Sequence, residues 1–252
     1  MKKVIFILRG LGRESGHWGE FPKILKGALG DFEVVPLDLP GFGVFYDEVS
    51  PSSIKGIVEN LISKKVFDKY KGFDEKYILA LSLGGMVTLE LLQNMKGFFN
   101  GVVIMNSSQK YKNSILNRLN FKFLPKAFYA ILFATTGKRE SIIFDGTINT
   151  LKDKEKFVLE WVNFFDKRPY KRISFFKQLW AASKFSLKGV SLEGERGLVL
   201  SSKGDRLVKP MSSQIISDHL KWPIEYHDNA GHDLPFDDPV WICNKVSEFI
   251  KK

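Results

Sequence analysis

Cysteine is nearly absent: Cys243 stands alone in 252 residues. No disulfide can form within the chain, and such usage suits a reducing compartment. Histidine is scarce as well, with only His17, His219, His227 and His232. So few imidazoles and a single thiol leave no Cys/His cluster at zinc spacing. No Gly-Lys-Ser/Thr loop is present to cradle a phosphate, and neither cofactor nor metal is expected. The first apolar run, Val4 to Leu8, stops at Arg9, too short for a secretion signal. No stretch reaches the length that a membrane-crossing helix needs, so a cytoplasmic location is expected. Repeats and low-complexity tracts are lacking, and the length suits one α/β unit with a full core.

What is present is alternation. Strands are expected at Lys3–Leu8, Phe32–Leu37, Tyr77–Leu81, Gly101–Met105, Leu198–Ser201 and Pro223–His227. Helical patterns fall between most of them, at Gly19–Leu29, Ile54–Tyr70, Met86–Met95, Met211–Leu220 and Val240–Lys251. Runs such as Val4 to Leu8 are apolar at every position, as a parallel strand covered on both faces must be. The pattern predicts a doubly wound, mostly parallel sheet. Between Asn106 and Gly197 no strand is legible. Helices are expected there at Ser114–Phe133, Lys152–Phe165 and Ile173–Lys184.

Chemistry enters at Ser82, where the apolar run Tyr77 to Leu81 breaks at a serine followed by Leu83-Gly84-Gly85 and a helical pattern. A serine on a sharp strand-to-helix turn stands clear of the sheet. The turn's backbone N–H groups and the helix N-terminus then face the charge that develops when its hydroxyl attacks a carbonyl. An ordinary turn between strand and helix has the same local look. Serine is a weak nucleophile and needs a base, and the base needs an acid that fixes its tautomer. Asp205 lies in a turn, Lys203-Gly204-Asp205, between an apolar strand and Val208-Lys209-Pro210. His232 follows a glycine in the loop Asn229-Ala230-Gly231-His232 ahead of the last helix. His227, at a strand end, is the nearest competitor for the base, and His219 reads as a surface residue. His17 is expected to be a loop residue rather than part of a pocket mouth, and Asp38 a structural turn residue.

These motifs resemble those of the α/β-hydrolases, in which nucleophile, acid and base follow one another along the chain in this order. Ala80 stands where the family usually has the first glycine of its nucleophile turn. The resemblance implies an α/β-hydrolase fold with Ser82, Asp205 and His232 as catalytic triad. It also implies an oxyanion hole from the backbone N–H groups of Leu83 and Leu11. Leu11 lies in Arg9-Gly10-Leu11-Gly12, where relatives usually carry His-Gly. The family inserts a helical lid at the strandless span, giving a core of residues 1–108 and 191–252 and a lid of residues 109–190.

From Gln109 to Val190 the charge is +11, which leaves −1 for the remainder. A solvated lysine-rich face and a surface that draws in an acidic substrate or carrier both fit that asymmetry. No nucleic-acid motif accompanies it. The lid aromatics Phe121, Phe123, Phe128, Phe133, Trp161, Phe164, Phe165, Phe175, Phe176 and Trp180 are expected to divide between core and acyl pocket, with core the commoner fate.

The segments Leu37 to Gly43, Ser82 to Gly85 and Asn106 to Ser108 resemble the pimeloyl-[acyl-carrier-protein] methyl ester esterases of biotin synthesis. That resemblance implies a carboxylesterase acting on an acyl ester, and a monomer is expected. It also implies an acidic acyl carrier protein held by the lid, with Lys122 and Lys126 as contact candidates. A thioesterase or a menaquinone-pathway lyase would use the same triad, and a silent binding scaffold would keep the fold.

Overall fold

The computed structural model describes the whole chain except residue 113, residues 115–117 and residues 151–152. Six parallel strands form one sheet: β1 (Lys3–Leu8), β2 (Phe32–Leu37), β3 (Glu75–Leu81), β4 (Gly101–Met105), β5 (Gly197–Ser202) and β6 (Ile224–His227). Their order is β2-β1-β3-β4-β5-β6. Side chains alternate across this sheet and fill two cores. Val4, Phe6 and Leu8 join the core on one face, Ile5 and Ile7 that on the other. The helices α2 (Ile54–Ser63) and α3 (Leu83–Asn94) cover the first face. The second is covered by α1 (Phe21–Leu29) and, at the C-terminus, by the helix Pro239–Lys251. Burial on both faces is why the central strands β1, β3, β4 and β5 read as mainly apolar runs, while the edge strands β2 and β6 are only partly buried.

The chain leaves β1 for β2 on one side and reaches β3 on the other. The loops after β1 and β3 therefore part at the carboxyl edge and open a crevice between them, as at the switch points of open parallel sheets. Four helices lie between β4 and β5 among the described residues: α4 (Leu124–Leu132), α5 (Thr136–Thr147), α6 (Lys154–Lys167) and α7 (Arg172–Lys184). After β5 come α8 (Pro210–Leu220), the single turn α9 (Leu234–Asp237) and α10, the C-terminal helix named above.

Three expected helices are corrected. The one over Ser114–Phe133, part of which lies outside the described residues, is shortened to α4. Pro125 sits at its start, and Leu119 instead bridges to Val208. The helix over Ile54–Tyr70 ends at Ser63, and the chain turns at Lys65 with φ 56°. The helix over Lys152–Phe165 starts at Lys154 and runs on to Lys167, its expected first residue lying outside the described ones. The helix α5 was not expected at all. It buries Arg139 and Glu140 together with Phe144.

Candidate active site

The turn after β3 is held by its neighbours. Ser82 N donates to Met105 O at 2.8 Å, and Ser107 Oγ donates to Ser82 O at 2.8 Å. Ser82 takes φ 56° and ψ −114°, a backbone state that L-residues hold only under constraint. Helix α3 begins at the next residue. A Cβ at position 84 would stand 2.7 Å from Leu8 O, and one at 85 would stand 2.3 Å from Ile104 Cγ2. The two glycines therefore let the helix start directly against β1 and β4. Leu83 N is the first amide of α3, with no carbonyl a turn earlier to bond. Across the crevice, a Cβ on Gly10 would lie 3.2 Å from Ser82 Cβ. The β1 loop thus presses on the elbow, and Leu11 sits in its bend between Arg13 N and Gly10 O, 3.3 Å apart.

Asp205 and His232 meet at the ends of β5 and β6. His232 Nδ1 stands 2.7 Å from Asp205 Oδ2, with both side chains buried. A carboxylate can only accept, so Nδ1 carries the hydrogen and Nε2 keeps its lone pair. The other oxygen, Asp205 Oδ1, accepts from Leu207 N (2.7 Å) and Val208 N (2.9 Å), which fixes the carboxylate plane. Burial works against a charged His232, but the charge and hydrogen bond of Asp205 outweigh it. Asp233 adds to them and Arg9 opposes, so the imidazole pKa is raised above its ordinary value. Ser82, Leu11, Leu83 and His232 line one cavity. Among the described residues no hydrogen bond joins the Ser82 hydroxyl to the imidazole, and Ser82 itself is half-buried.

Sequence reasoning did not identify the residues that hold the histidine loop. Arg9 makes a two-pronged pair with Asp233, Nη1 to Oδ1 at 2.8 Å and Nη2 to Oδ2 at 2.5 Å, while lying over the Trp18 ring. Asn106, with φ 46°, donates to His232 O (2.9 Å), Gly231 O (3.3 Å) and Ser202 Oγ (3.0 Å). It also accepts from Ser202 N at 2.8 Å. Asp237 accepts from Gly231 N at 2.6 Å. The signals were there, in an arginine at a family histidine position and an Asn at a strand end, but their partners in the histidine loop lie 125 or more residues away.

The other histidines fall elsewhere. His227 Nε2 pairs with Asp238 Oδ2 at 3.2 Å, and its Nδ1 accepts from Ala230 N at 2.9 Å, so it braces the base loop from below. His219 is not a free surface residue: it is half-buried, with Nε2 3.0 Å from Val190 O. His17 is buried in a short turn and packs against Trp161 and Phe164. Its Nδ1 accepts from Glu14 N, and burial, then Arg13 and Arg9, push its pKa well below the ordinary value. Asp38 is a turn residue as expected, accepting from Ser15 N and Val44 N.

The cavity measures about 1110 Å³. Of the lid aromatics, Phe121, Phe123, Phe128 and Phe175 line it. The expectation that most would be core is corrected: of the ten only Trp161 is fully buried, while Phe133, Phe176 and Trp180 face solvent. Four arginines stand in the wall, Arg9, Arg13, Arg118 and Arg139, with two carboxylates among them, Glu140 and the Asp233 already paired with Arg9. Glu140 binds Arg13 (2.5 Å) and Arg139 (3.0 Å). Burial would raise the Glu140 pKa, but the two guanidinium groups hold it below the ordinary range. Arg118 has no carboxylate partner among the described residues. It donates to Ala182 O, Ser183 O and Ser108 Oγ, tying the end of α7 to the segment after β4.

Comparison with known proteins bears on the family and the fold. The model of the Alpha/beta hydrolase family matches residues 4–244. The fold is similar to that of the enol-lactonase from Burkholderia xenovorans LB400 at TM-score 0.78 and 14% identity, covering 100% of this chain and 92% of the other. The 2-hydroxy-6-oxo-6-phenylhexa-2,4-dienoate hydrolase from Rhodococcus sp. strain RHA1 gives 0.77 and 18%, covering 100% and 91%. An esterase from Exiguobacterium antarcticum gives 0.77 and 11%, covering 99% and 92%. At these identities the likeness is one of fold. Among curated proteins no sequence match is found.

Proposed function

From the premise that this chain belongs to the alpha/beta hydrolase family, we propose that it is a serine hydrolase of carboxylic esters with an apolar acyl chain. Ser82 Oγ attacks the ester carbonyl while His232 Nε2 takes its proton. The imidazolium formed is stabilised by Asp205 across the Nδ1 bond. The N–H groups of Leu83 and Leu11 receive the oxyanion, each such donor contributing about 2.7–4 kcal/mol of transition-state stabilisation. His232 then protonates the departing alkoxide. Water, deprotonated by the same imidazole, releases the acid from Ser82. The hydroxyl-to-imidazole bond forms as substrate fills the crevice, since catalytic hydrogen bonds commonly tighten only in the complex.

The observation that carries this reading is the buried His232–Asp205 bond set in the wall of the cavity onto which the strained Ser82 opens. The apolar lining supports an acyl chain rather than a polar substrate. A methyl ester of such a chain fits, and the sequence resemblance names pimeloyl-[acyl-carrier-protein] methyl ester as one. Turnover of p-nitrophenyl esters over a series of chain lengths tests the proposal. Ser82→Ala should abolish turnover in a protein with unchanged circular dichroism, and retained turnover would refute it. Running methyl esters beside thioesters of equal length distinguishes esterase from thioesterase.

A further inference from the structure

The lid presents apolar side chains to solvent around the cavity. Phe128 is 62% exposed, Phe133 73% and Trp180 58%. Phe121, Phe128 and Leu179 are both exposed and part of the cavity lining, so α4 and α7 form its mouth. Lysines stand between these groups. Lys122 precedes α4, Lys126 lies in its first turn, and Lys177 and Lys184 lie on α7. Among the described residues none of the four has a carboxylate partner, and Lys184 Nζ lies 4.4 Å over the Trp180 ring. The span Gln109 to Val190 carries +11 against −1 for the rest.

We propose that this face docks on an anionic lipid bilayer, with Phe133, Phe128 and Trp180 entering the headgroup region and the lysines binding lipid phosphates. Aromatic tips interleaved with lysines are the composition of interfacial membrane contacts, and contiguous exposed apolar groups mark interaction sites. A second copy of the chain is disfavoured, since two lids of this charge repel. An acidic protein would satisfy the lysines, but protein interface cores are depleted of lysine, whereas here exposed lysines and aromatics lie together on and beside the same two helices. A bilayer supplies an anionic plane and an apolar layer directly beneath it, matching both at once. The delivery of a lipid ester through this mouth rests on the esterase reading above; the docking does not.

Sedimentation with large unilamellar vesicles tests it, using Ser82→Ala protein so that no lipid is consumed. This protein should pellet with equimolar phosphatidylglycerol and phosphatidylcholine, and about tenfold less with phosphatidylcholine alone. Salt at about 0.5 M should weaken the association. In the wild-type background, Phe133→Ser with Trp180→Ser should weaken vesicle binding about tenfold while leaving turnover of p-nitrophenyl acetate unchanged. Lys122→Glu with Lys126→Glu should weaken vesicle binding about as much. Absence of pelleting with the anionic vesicles overturns the proposal. So does binding indifferent to the Phe133 and Trp180 changes, or capture of an acyl carrier protein by a lid that ignores vesicles. Vesicle binding by a protein that hydrolyses no ester upholds the docking and removes the catalytic reading alone.

Discussion

Replacing Arg9 by methionine separates the base loop from its anchor. Arg9 and Asp233 are 3% and 5% exposed, and both carboxylate oxygens are engaged by the guanidinium. Removing the cation leaves a buried carboxylate without countercharge, which destabilises by about 3–5 kcal/mol. For a chain of this length that lowers Tm by roughly 6–20 °C, at about 2–4 °C per kcal/mol. The paired change Arg9→Met with Asp233→Leu removes both charges and should recover most of the loss, because a buried ion pair and an apolar pair of similar volume are nearly equivalent. Kinetics give an independent reading. The base must be neutral to act, so activity falls as pH drops through the His232 pKa. Arg9 is a lowering influence on that pKa and Asp233 a raising one. In Arg9→Met the acid limb of kcat/KM should therefore move to higher pH. Calorimetry of the single and double variants, with pH–rate profiles, tests both. A single variant within about 1 kcal/mol of wild type, or a double variant no more stable than the single, would refute the reasoning.

Two further outcomes follow from the same contacts. His17 is held neutral in the fold, whereas the unfolded chain takes up a proton near pH 6.5. Stability should then fall as pH drops from about 6.5 toward the depressed folded pKa, by up to about 1.4 kcal/mol per pH unit. His232 acts with the opposite sign, its contribution being present below the unfolded pKa and lost as pH rises through the raised folded value. Denaturant titrations of His17→Gln against wild type isolate the first slope, and equal slopes would exclude it. Asn106→Ala deletes three donated bonds and orphans Ser202 N. Stability should fall by roughly 2–4 kcal/mol at about 1 kcal/mol per bond. Turnover should fall more than tenfold through kcat, with KM little changed, because Asn106 positions the backbone of His232 rather than touching substrate. A loss confined to stability would make Asn106 structural only.

The centre of the sheet was legible because its inner strands are covered on both faces. Unbroken runs at Val4 to Leu8 and Tyr77 to Leu81 admit few other readings, and the Gly-rich turn after Leu81 marks where strand becomes helix. The meeting of Asp205 with His232 followed from the resemblance in chain order, since each lies on a short turn at a strand end. What the pattern could not yield are contacts made by charge. Helix α5 shows no clean apolar period, because Arg139 and Glu140 share its buried positions with Phe144 and close against Arg13 from the β1 loop. The role of Arg9 was visible only as a departure from the family's histidine. Its carboxylate partner, next to the candidate base, is supplied by the fold. The lid aromatics misled for a related reason. Composition alone does not distinguish a ring that fills a core from one that lines a cavity or faces solvent, as Phe123 and Phe133 respectively do.

The most direct measurement is covalent labelling of the folded protein with a fluorophosphonate, read by intact mass and peptide mapping. One adduct should form, on Ser82, and it should vanish in His232→Ala. No adduct under conditions that label an established serine esterase, or an adduct on another serine, would contradict the assignment of Ser82 as the activated nucleophile.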